Sequence, residues 1–211
     1  ALIITGANVS GEDLSEQSFW QPLIEIVDWA YENVTSTLCS CLATHAVLEF
    51  RYGQKRKPGN KKKWGVFSHK IVSSSHPLVS DVNTRFDVPH SRWNEVSQKQ
   101  FLNANLHILA ESDDAGVHLA TSNDGLRFVF FQGHPEYDTI SLFKEFKREV
   151  NLYINGDVST FPPFIKNYFN DNQKAVIREF ERKLAKAQAD NTPFPIFPEN
   201  LIIDTLDNTW H

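Results

Sequence analysis

The first part of the chain alternates between strand-like apolar runs and segments with helical spacing. Ala1–Thr5 is a short apolar run, and Phe19–Ala30 repeats apolar side chains at the interval of one helix face. Thr35–Ser40 is a β-branched run. Leu42–Tyr52 again has helical spacing, and Gly53 follows it as a natural helix stop. The pattern predicts strand, helix, strand and helix in that order.

The middle of the chain is predicted to consist of strands and turns preceded by a basic loop. Lys55–Lys63 is rich in cations and is predicted to be that loop, while Asn94–Leu102 is predicted to be a short helix. Asn123-Asp124-Gly125 is typical of a hairpin turn. The predicted strands and extended pieces are Trp64–Val72, Pro77–Val88, Leu106–Ala110, Val117–Thr121 and Leu126–Phe131.

The last third of the chain is predicted to be helical, with proline-rich breaks. A helix over Ile140–Ile154 is expected to be capped by Asp138 or Thr139. Further helices are predicted over Asn172–Ala189 and Glu199–Trp210. The whole order indicates one α/β domain over residues 1–211 with three layers and a mostly parallel sheet. Its core is expected over residues 1–155, and a helical, proline-rich extension over residues 156–211.

Composition narrows the function classes. The formal net charge of −5 argues against non-specific nucleic-acid binding as the main task. No apolar run approaches the ~18 residues of a membrane span, and no signal peptide is visible. Cys39 and Cys41 are too close in a strand for an ordinary disulfide, so a cytoplasmic protein is expected. The chain has no Met and opens on an apolar strand, which suggests that an N-terminal portion is missing from the sequence.

Cys41 stands between a predicted strand and a predicted helix, where a nucleophile elbow presents its side chain. At a helix N-terminus, the dipole and the free N–H groups favour a thiolate and can hold a developing oxyanion. A buried structural cysteine is the competing interpretation, and it fits Cys39 better. Cys39 and Cys41 alone supply too few ligands for a metal, so no metal is expected.

The run Gly133–Asp138 follows a predicted buried strand and precedes a predicted helix. It holds His134 and Glu136 two positions apart, which suits a general base and the carboxylate that orients it. A surface turn with an ordinary His-Pro pair is the alternative interpretation. Together with Cys41, the pair predicts covalent acyl-transfer chemistry.

Two segments of the chain resemble the homoserine O-succinyltransferase family: Val34–Cys41 and Gly133–Asp138. The similarity extends over residues 1–150 at the spacing of the family, and it includes the motif Pro89–Arg92. The resemblance implies a class I glutamine amidotransferase-like fold, which is flavodoxin-like. It also implies a preceding segment with the first strands, so these strands are expected to be missing from the sequence.

The resemblance assigns a role to each member of the candidate triad. Cys41 takes the acyl group from acyl-CoA as a thioester, His134 is the general acid and base, and Glu136 holds its imidazole. The acyl group then moves to the hydroxyl of L-homoserine, in methionine biosynthesis. The expected enzyme is a cytoplasmic homoserine O-acyltransferase with acyl-CoA as co-substrate and no other cofactor. A homodimer is one option for its assembly.

The resemblance also implies substrate contacts. Lys62, Ser91 and Arg148 fall at substrate-binding positions of the family, and a guanidinium suits the carboxylate of homoserine. Ser10 falls at the position that separates acyl donors: Glu there accompanies acetyl-CoA, and Gly accompanies succinyl-CoA. Because Ser10 is small and uncharged, it does not repel the carboxylate of a succinyl group, which favours succinyl over acetyl.

Three positions depart from the family pattern. Asn8 stands where typical members have Pro, Leu42 where they have Trp, and Ser68 where many have Glu. A backbone N–H from Leu42 can still serve the oxyanion, so the chemistry is not abolished. The change at Ser68 leaves the identity of the acceptor substrate open.

Two other functions remain open at this point. A hydrolase or glutaminase of the same superfamily uses the same three residues with water as the acceptor. Glutaminases usually have Gly on both sides of the nucleophile, whereas Cys39 and Ala43 occupy those positions here. The other alternative is a non-catalytic binding domain whose Lys55–Lys63 run contacts an anionic partner. The intact set of Cys, His and Glu argues against it.

Overall fold

The computed structural model describes residues 1–7, 9, 11 and 13–210. The chain divides into two compact units, the first over Ala1–Pro135 and the second over Glu136–Thr209. The boundary between the units lies inside the Gly133–Asp138 run, whereas the sequence pattern places the end of the core at residue 155. A single domain over residues 1–211 stays a prediction.

The first unit is built on one mixed sheet. Its described strands are β1 (Leu2–Ile4), β2 (Thr37–Ser40), β3 (Lys57–Ile71), β4 (Arg85–Glu95), β5 (His107–Ser112), β6 (Gly116–Thr121) and β7 (Phe128–Phe131). Their order across the sheet is β1-β2-β7-β6-β5-β3-β4. The α/β class is confirmed. The expected mostly parallel sheet is wrong for these strands, because only β1, β2 and β7 run parallel to each other. The other pairs are antiparallel.

Three helices of the first unit lie close to their predicted positions: α1 (Trp20–Asn33), α2 (Leu42–Tyr52) and α3 (Gln98–Asn103). α2 begins and ends where the sequence predicts. Gly53 terminates it in the left-handed region, at a φ of 66° that favours glycine. α3 begins later than predicted, because Asn94 and Glu95 still belong to β4 and pair with β3.

The basic run is a strand and not the predicted loop. Residues 57–63 form the exposed first half of β3, which pairs with β4 across an irregularity between Pro58 and Lys63. The Lys63 ammonium lies 3.5 Å from Glu95 and donates to the carbonyl of Asp114. The partner strand and these contacts are distant in sequence, so the local charge pattern does not reveal them.

The core of the first unit lies between α2 and the sheet. The whole N-terminal part of α2, residues 42–48, is buried, which is typical of a helix covered on all sides. Aromatic side chains of β7, Phe128 and Phe130, pack against Val47 and Leu48 of this helix. The end of β2 and the start of α2 are therefore held in a rigid environment.

The second unit is helical, with α4 (Ser141–Ile154), α5 (Asp171–Asp190) and α6 (Glu199–Ile203). Asn170 caps α5 through a reciprocal bond with Gln173. The predicted capping of α4 by Asp138 or Thr139 is wrong. Ile140 is the N-cap, and Asp138 instead accepts a bond from the Ser141 hydroxyl.

The final helix is shorter than predicted: it ends at Ile203 and does not reach Trp210. Aromatic rings form much of the interior of the second unit, where Phe197 packs against Phe143 and Phe180. Among the described helices of the whole chain, none combines the length and the apolar character needed to cross a membrane.

Candidate active site

Cys41 occupies a strained turn between β2 and α2. It is the N-cap of α2 and has a φ of 52° and a ψ of −111°, a conformation that costs a non-glycine residue about 1–3 kcal/mol. The backbone N–H of Cys41 donates to the carbonyl of Phe131, with 2.8 Å between N and O. The Thr44 hydroxyl lies 2.8 Å from the Cys39 carbonyl and 2.9 Å from the same Phe131 carbonyl. These bonds hold Cys41 in the geometry of a nucleophile elbow.

Gly6 lies directly beside this elbow. A Cβ atom at Gly6 would stand 3.3 Å from both the Cys41 Cβ and the Leu42 backbone N. The missing side chain therefore leaves space next to the Leu42 N–H, the expected oxyanion donor. The Cys41 side chain is only partly buried, whereas Cys39 is fully buried and burial raises its pKa to about 12. The assignment of Cys39 to the core is confirmed.

The His134 turn is held by its backbone and by buried imidazoles. His134 is 8% exposed, and its N–H donates to the carbonyl of Pro89 at 2.9 Å. The N–H of Gly133 donates to Nδ1 of His118 at 3.3 Å. A Cβ on Gly133 would lie 2.6 Å from Val88, 2.8 Å from His90 and 2.9 Å from His118. Only glycine fits this position without displacing its neighbours.

The hydrogen bonds of the buried histidines determine their tautomers. Nδ1 of His69 lies 2.8 Å from the carbonyl of Phe67 and must donate to it, so Nε2 of the neutral ring accepts. Nε2 of His90, 3.2 Å away, donates to that atom. Nδ1 of His90 in turn accepts from Nε of Arg92 at 3.4 Å. Burial lowers the pKa of His69 to about 4, and it lowers those of His90 and His118 well below the ordinary value.

Arg92 places a buried cation near the nucleophile. Its guanidinium donates to the carbonyls of Asn94 at 2.9 Å and Ala115 at 2.5 Å, and it lies 3.6 Å from the Glu95 carboxylate. Burial lowers the pKa of Arg92, while the negative charges of Glu95 and Cys41 act in the opposite direction. The buried guanidinium is thus a cation of the candidate site, with Cys41 among the groups that act on it.

Lys62 and Ser91 lie on one face of the β3–β4 ribbon. The Lys62 ammonium stands 4.0 Å from the centre of the Trp64 ring, a cation–π contact. Trp64 pairs directly with Ser91 across the ribbon, and alternation of side chains places all three on the same face. Pro89 is two positions before Ser91, and its carbonyl binds the His134 N–H. Val88 and His90, which lie beside Gly133, alternate with Pro89 and Ser91 and therefore occupy the opposite face of the ribbon.

The remaining predicted site residues belong to the second unit or are not described. Glu136 is exposed and is the first residue of the second unit. Arg148 is exposed on α4 and donates to Glu149 at 3.1 Å. Ser10 is outside the described residues. The roles of Glu136, Arg148 and Ser10 stay predictions.

The sequence pattern did not single out several buried polar residues of this region: His45, His69, His118 and Gln132. His118 lies inside a run that otherwise indicates a plain strand, and Gln132 directly follows another such run. One sequence signal was available for His69: it lies two positions after Phe67 in a predicted strand, which puts both side chains on the same face. In the part of the chain that is described, no group of three or more His, Cys, Asp or Glu side chains could hold a metal ion.

The described residues have a class I glutamine amidotransferase-like fold. A glutamine amidotransferase from Thermotoga maritima superposes with a TM-score of 0.52 at 16% identity, over 73% of this chain and 63% of that chain. The glutaminase domain of Trypanosoma brucei CTPS superposes with a TM-score of 0.51 at 16% identity, over 64% and 63% of the two chains. At these identities the likeness shows the fold alone.

The chain belongs to the homoserine O-succinyltransferase family, whose sequence profile matches residues 1–211. It is 59% identical over 211 residues to homoserine O-succinyltransferases of Nitrosococcus oceani and of Allochromatium vinosum. A homoserine O-succinyltransferase of Thiobacillus denitrificans is 57% identical. Each match covers 100% of this chain and 59% of the relative, so the chain spans about three fifths of these relatives.

Proposed function

We propose that this chain carries the catalytic residues of a homoserine O-succinyltransferase that acts through a thioester on Cys41. The main supporting observation is the strained Cys41 turn, whose N–H binds the carbonyl of Phe131, three residues before His134. This bond joins the strand that ends at the nucleophile to the strand that leads to the base. Membership of the family named for this activity is the second support.

In the first half-reaction the Cys41 thiolate attacks the thioester carbonyl of succinyl-CoA. A carbon–sulfur bond to Cys41 forms, and the carbon–sulfur bond to CoA breaks. His134 gives a proton to the departing CoA thiolate, and the Leu42 N–H stabilises the transient oxyanion. The buried Arg92 guanidinium is proposed to add positive charge to this site.

In the second half-reaction the hydroxyl of homoserine attacks the acyl-enzyme. His134 accepts the hydroxyl proton, an ester bond forms, and Cys41 leaves as a thiolate. Glu136 is proposed to orient the imidazole of His134, and Arg148 to bind the carboxylate of homoserine. Lys62 and Ser91, on their common ribbon face, are proposed to contact the substrate.

Succinyl-CoA is the preferred donor, since the family is named for succinyl transfer. The small, uncharged Ser10 at the donor-selecting position is consistent with a succinyl carboxylate. The proposed setting is methionine biosynthesis in the cytoplasm, with acyl-CoA as co-substrate and no other cofactor.

The proposal is tested by trapping the acyl-enzyme. The full-length protein is incubated with succinyl-CoA or acetyl-CoA in the absence of homoserine, and peptide mass spectrometry locates the adduct. We expect a succinyl group on Cys41, its loss on addition of homoserine, and no adduct in Cys41→Ala. An active preparation that forms O-succinylhomoserine without any Cys41 adduct would contradict the covalent mechanism.

A glutaminase is the rival function, because the solved structures of similar fold include glutamine amidotransferases. Cys39 and Ala43 in place of the flanking glycines weigh against it. Ammonia release from glutamine, abolished in Cys41→Ala and accompanied by no acyl transfer, would favour the rival over our proposal.

A further inference from the structure

Gln132 is a buried side chain whose hydrogen-bonding groups are all occupied. It is 1% exposed. Its Oε1 accepts from the N–H of Val96 at 2.9 Å, and its Nε2 donates to the carbonyls of Val96 at 3.0 Å and Val117 at 2.8 Å. Its fourth bond, at 3.1 Å, joins Oε1 to Nε2 of His45. An amide with four such bonds cannot rotate without losing several of them.

These bonds also determine which ring nitrogen of His45 carries the proton. The Val96 N–H can only donate, and the two carbonyls can only accept, so the orientation of the Gln132 amide is fixed. Its Oε1 therefore requires a donor from His45, which places a proton on Nε2. His45 is 2% exposed, and burial lowers its pKa to about 3. The ring is neutral and serves as a donor to Gln132.

The His45–Gln132 bond joins the two halves of the candidate site. His45 is on the first turn of α2, and its N–H donates to the carbonyl of Cys41 at 3.3 Å. Gln132 immediately precedes Gly133 and His134, and its own N–H donates to the carbonyl of His118 at 2.9 Å. One side-chain contact thus runs from the helix of the nucleophile to the turn of the base.

We propose that His45 and Gln132 are positioning residues that fix α2, and with it Cys41, relative to the His134 turn. Neither needs to touch the substrate. The proposal rests on the proposed function for the roles of Cys41 and His134. Small displacements of reacting groups are costly, on the order of a hundredfold in rate per Å. A bond that sets this distance therefore contributes to rate more than to stability.

Stability and positioning can be separated experimentally. Removing one partner of a buried hydrogen bond leaves the other unsatisfied and lowers stability. His45→Leu keeps the bonds of Gln132 to Val96 and Val117, whereas Gln132→Met also removes these and should lose more stability. Urea unfolding therefore measures the stability loss of each variant separately from its effect on rate. His45→Leu and Gln132→Met each remove the contact with little change in volume. His45→Gln keeps an N–H donor at the end of the side chain and is the conservative variant.

Ser122→Ala, directly after β6, is the matched control, because the Ser122 hydroxyl bonds Phe128, the first residue of β7. The Ser122 hydroxyl accepts from the N–H of Phe128 at 2.9 Å and donates to Asp124 at 2.6 Å. This variant also removes a buried hydrogen bond on the same strand, but it lies away from Cys41 and His134. Ser122→Ala therefore measures how the loss of a buried hydrogen bond away from the site changes stability, acylation and alkylation.

Two readouts are measured on each full-length variant, together with urea unfolding. The first is the rate of Cys41 acylation by succinyl-CoA, and the second is the pH profile of Cys41 alkylation by iodoacetamide. We expect His45→Leu and Gln132→Met to slow Cys41 acylation about tenfold. We also expect the midpoint of Cys41 alkylation to move to higher pH, because a displaced His134 imidazole supports the Cys41 thiolate less well. His45→Gln should stay within about threefold of the wild type.

Two results would overturn the proposal: wild-type rates and pH profiles in His45→Leu and Gln132→Met, or equal changes in Ser122→Ala. If the wild-type protein forms no adduct with succinyl-CoA, the proposed function fails. The alkylation profiles still decide the positioning role in that case, since they need no acyl donor.

Discussion

The two turns of the candidate site are stabilised by different means. The nucleophile turn, residues 39–45, is held by bonds to the backbone of one neighbouring strand and by the Thr44 hydroxyl. The base turn, residues 132–135, lies on buried side chains from three other strands: His69, His90 and His118. Backbone geometry defines the first turn, whereas side-chain volume and protonation define the second.

This difference predicts different sensitivities. Apart from His45, whose pKa burial lowers to about 3, the nucleophile turn is held by hydrogen bonds that do not titrate, so it should be less sensitive to acid than the base turn. Each imidazole under the base turn has a fixed donor and a fixed acceptor atom, and a proton added to an accepting nitrogen removes a bond. The base turn should therefore be the first part of the site to fail as the pH falls.

The largest expected effect is acid destabilisation. His45, His69, His90 and His118 have pKa values lowered in the folded protein from an ordinary value of 6.5. The unfolded chain therefore binds more protons below pH 6.5, so the stability is fully present above that pH and is lost as the pH falls towards about 4. Each such histidine contributes a slope of roughly 1.4 kcal/mol per pH unit. Urea unfolding at pH 7.5 to 5 measures the summed slope.

His118→Asn is the control for this effect. The Oδ1 atom of Asn can accept from the Gly133 N–H in place of Nδ1 of His118. The variant should fold at neutral pH, and its unfolding free energy should depend less steeply on pH, by the contribution of about one proton. An unfolding free energy that is independent of pH between 7 and 5 in the wild type would refute the neutral histidine cluster.

Gly133→Ala should have the next largest effect, about 3 kcal/mol of lost stability from overpacking. The added Cβ meets Val88 at 2.6 Å and the rings of His90 and His118 below 3 Å. Gly53→Ala is the matched comparison, because Gly53 has a φ of +66° and no atom within 4 Å of an added Cβ. That variant bears only the backbone strain, about 1 kcal/mol. Equal losses in the two variants would contradict the tight contact at the base turn.

The nucleophile turn could be predicted from sequence, because its signals are local. The strand, the helix and the terminating Gly53 lie within a few residues of Cys41, and α2 runs from Leu42 to Tyr52 as predicted. The buried histidines under the base turn could not be predicted in the same way. His69 and His90 meet only through the register of two long strands, and His45 and Gln132 are 87 residues apart in sequence.

The charged half of β3 is a second segment whose structure could not be predicted from its local sequence. Its lysines have the composition of a solvated loop, yet they pair with β4, where Lys57 lies opposite Glu95 and the Lys63 ammonium also lies 3.5 Å from the Glu95 carboxylate. Strand formation there depends on a partner segment that is distant in sequence. Local composition predicts a segment well only where its partners are also local, as they are around Cys41.

The strain at Cys41 predicts a smaller effect than Gly133→Ala, and here the glycine variant is the more stable one. Cys41→Gly and Cys41→Ala both remove the proposed nucleophile, but only glycine adopts a φ of 52° freely. We expect Cys41→Gly to be more stable than Cys41→Ala by about 1 kcal/mol, measured by urea unfolding. A Gly variant that is less stable than the Ala variant would mean that the turn is not strained.

An effect no larger than that at Cys41 is expected at Thr44, which stabilises the nucleophile turn. Thr44→Val keeps the shape of the side chain but removes the hydroxyl that bonds the carbonyls of Cys39 and Phe131. The loss should be about 1 kcal/mol, typical of one neutral buried hydrogen bond, and Thr44→Ser should retain most of it. Because Phe131 keeps its bond from the Cys41 N–H, the pH dependence of unfolding should match that of the wild type. A steeper acid slope in Thr44→Val would show that the two turns depend on the same interactions, and the contrast between them would then be lost.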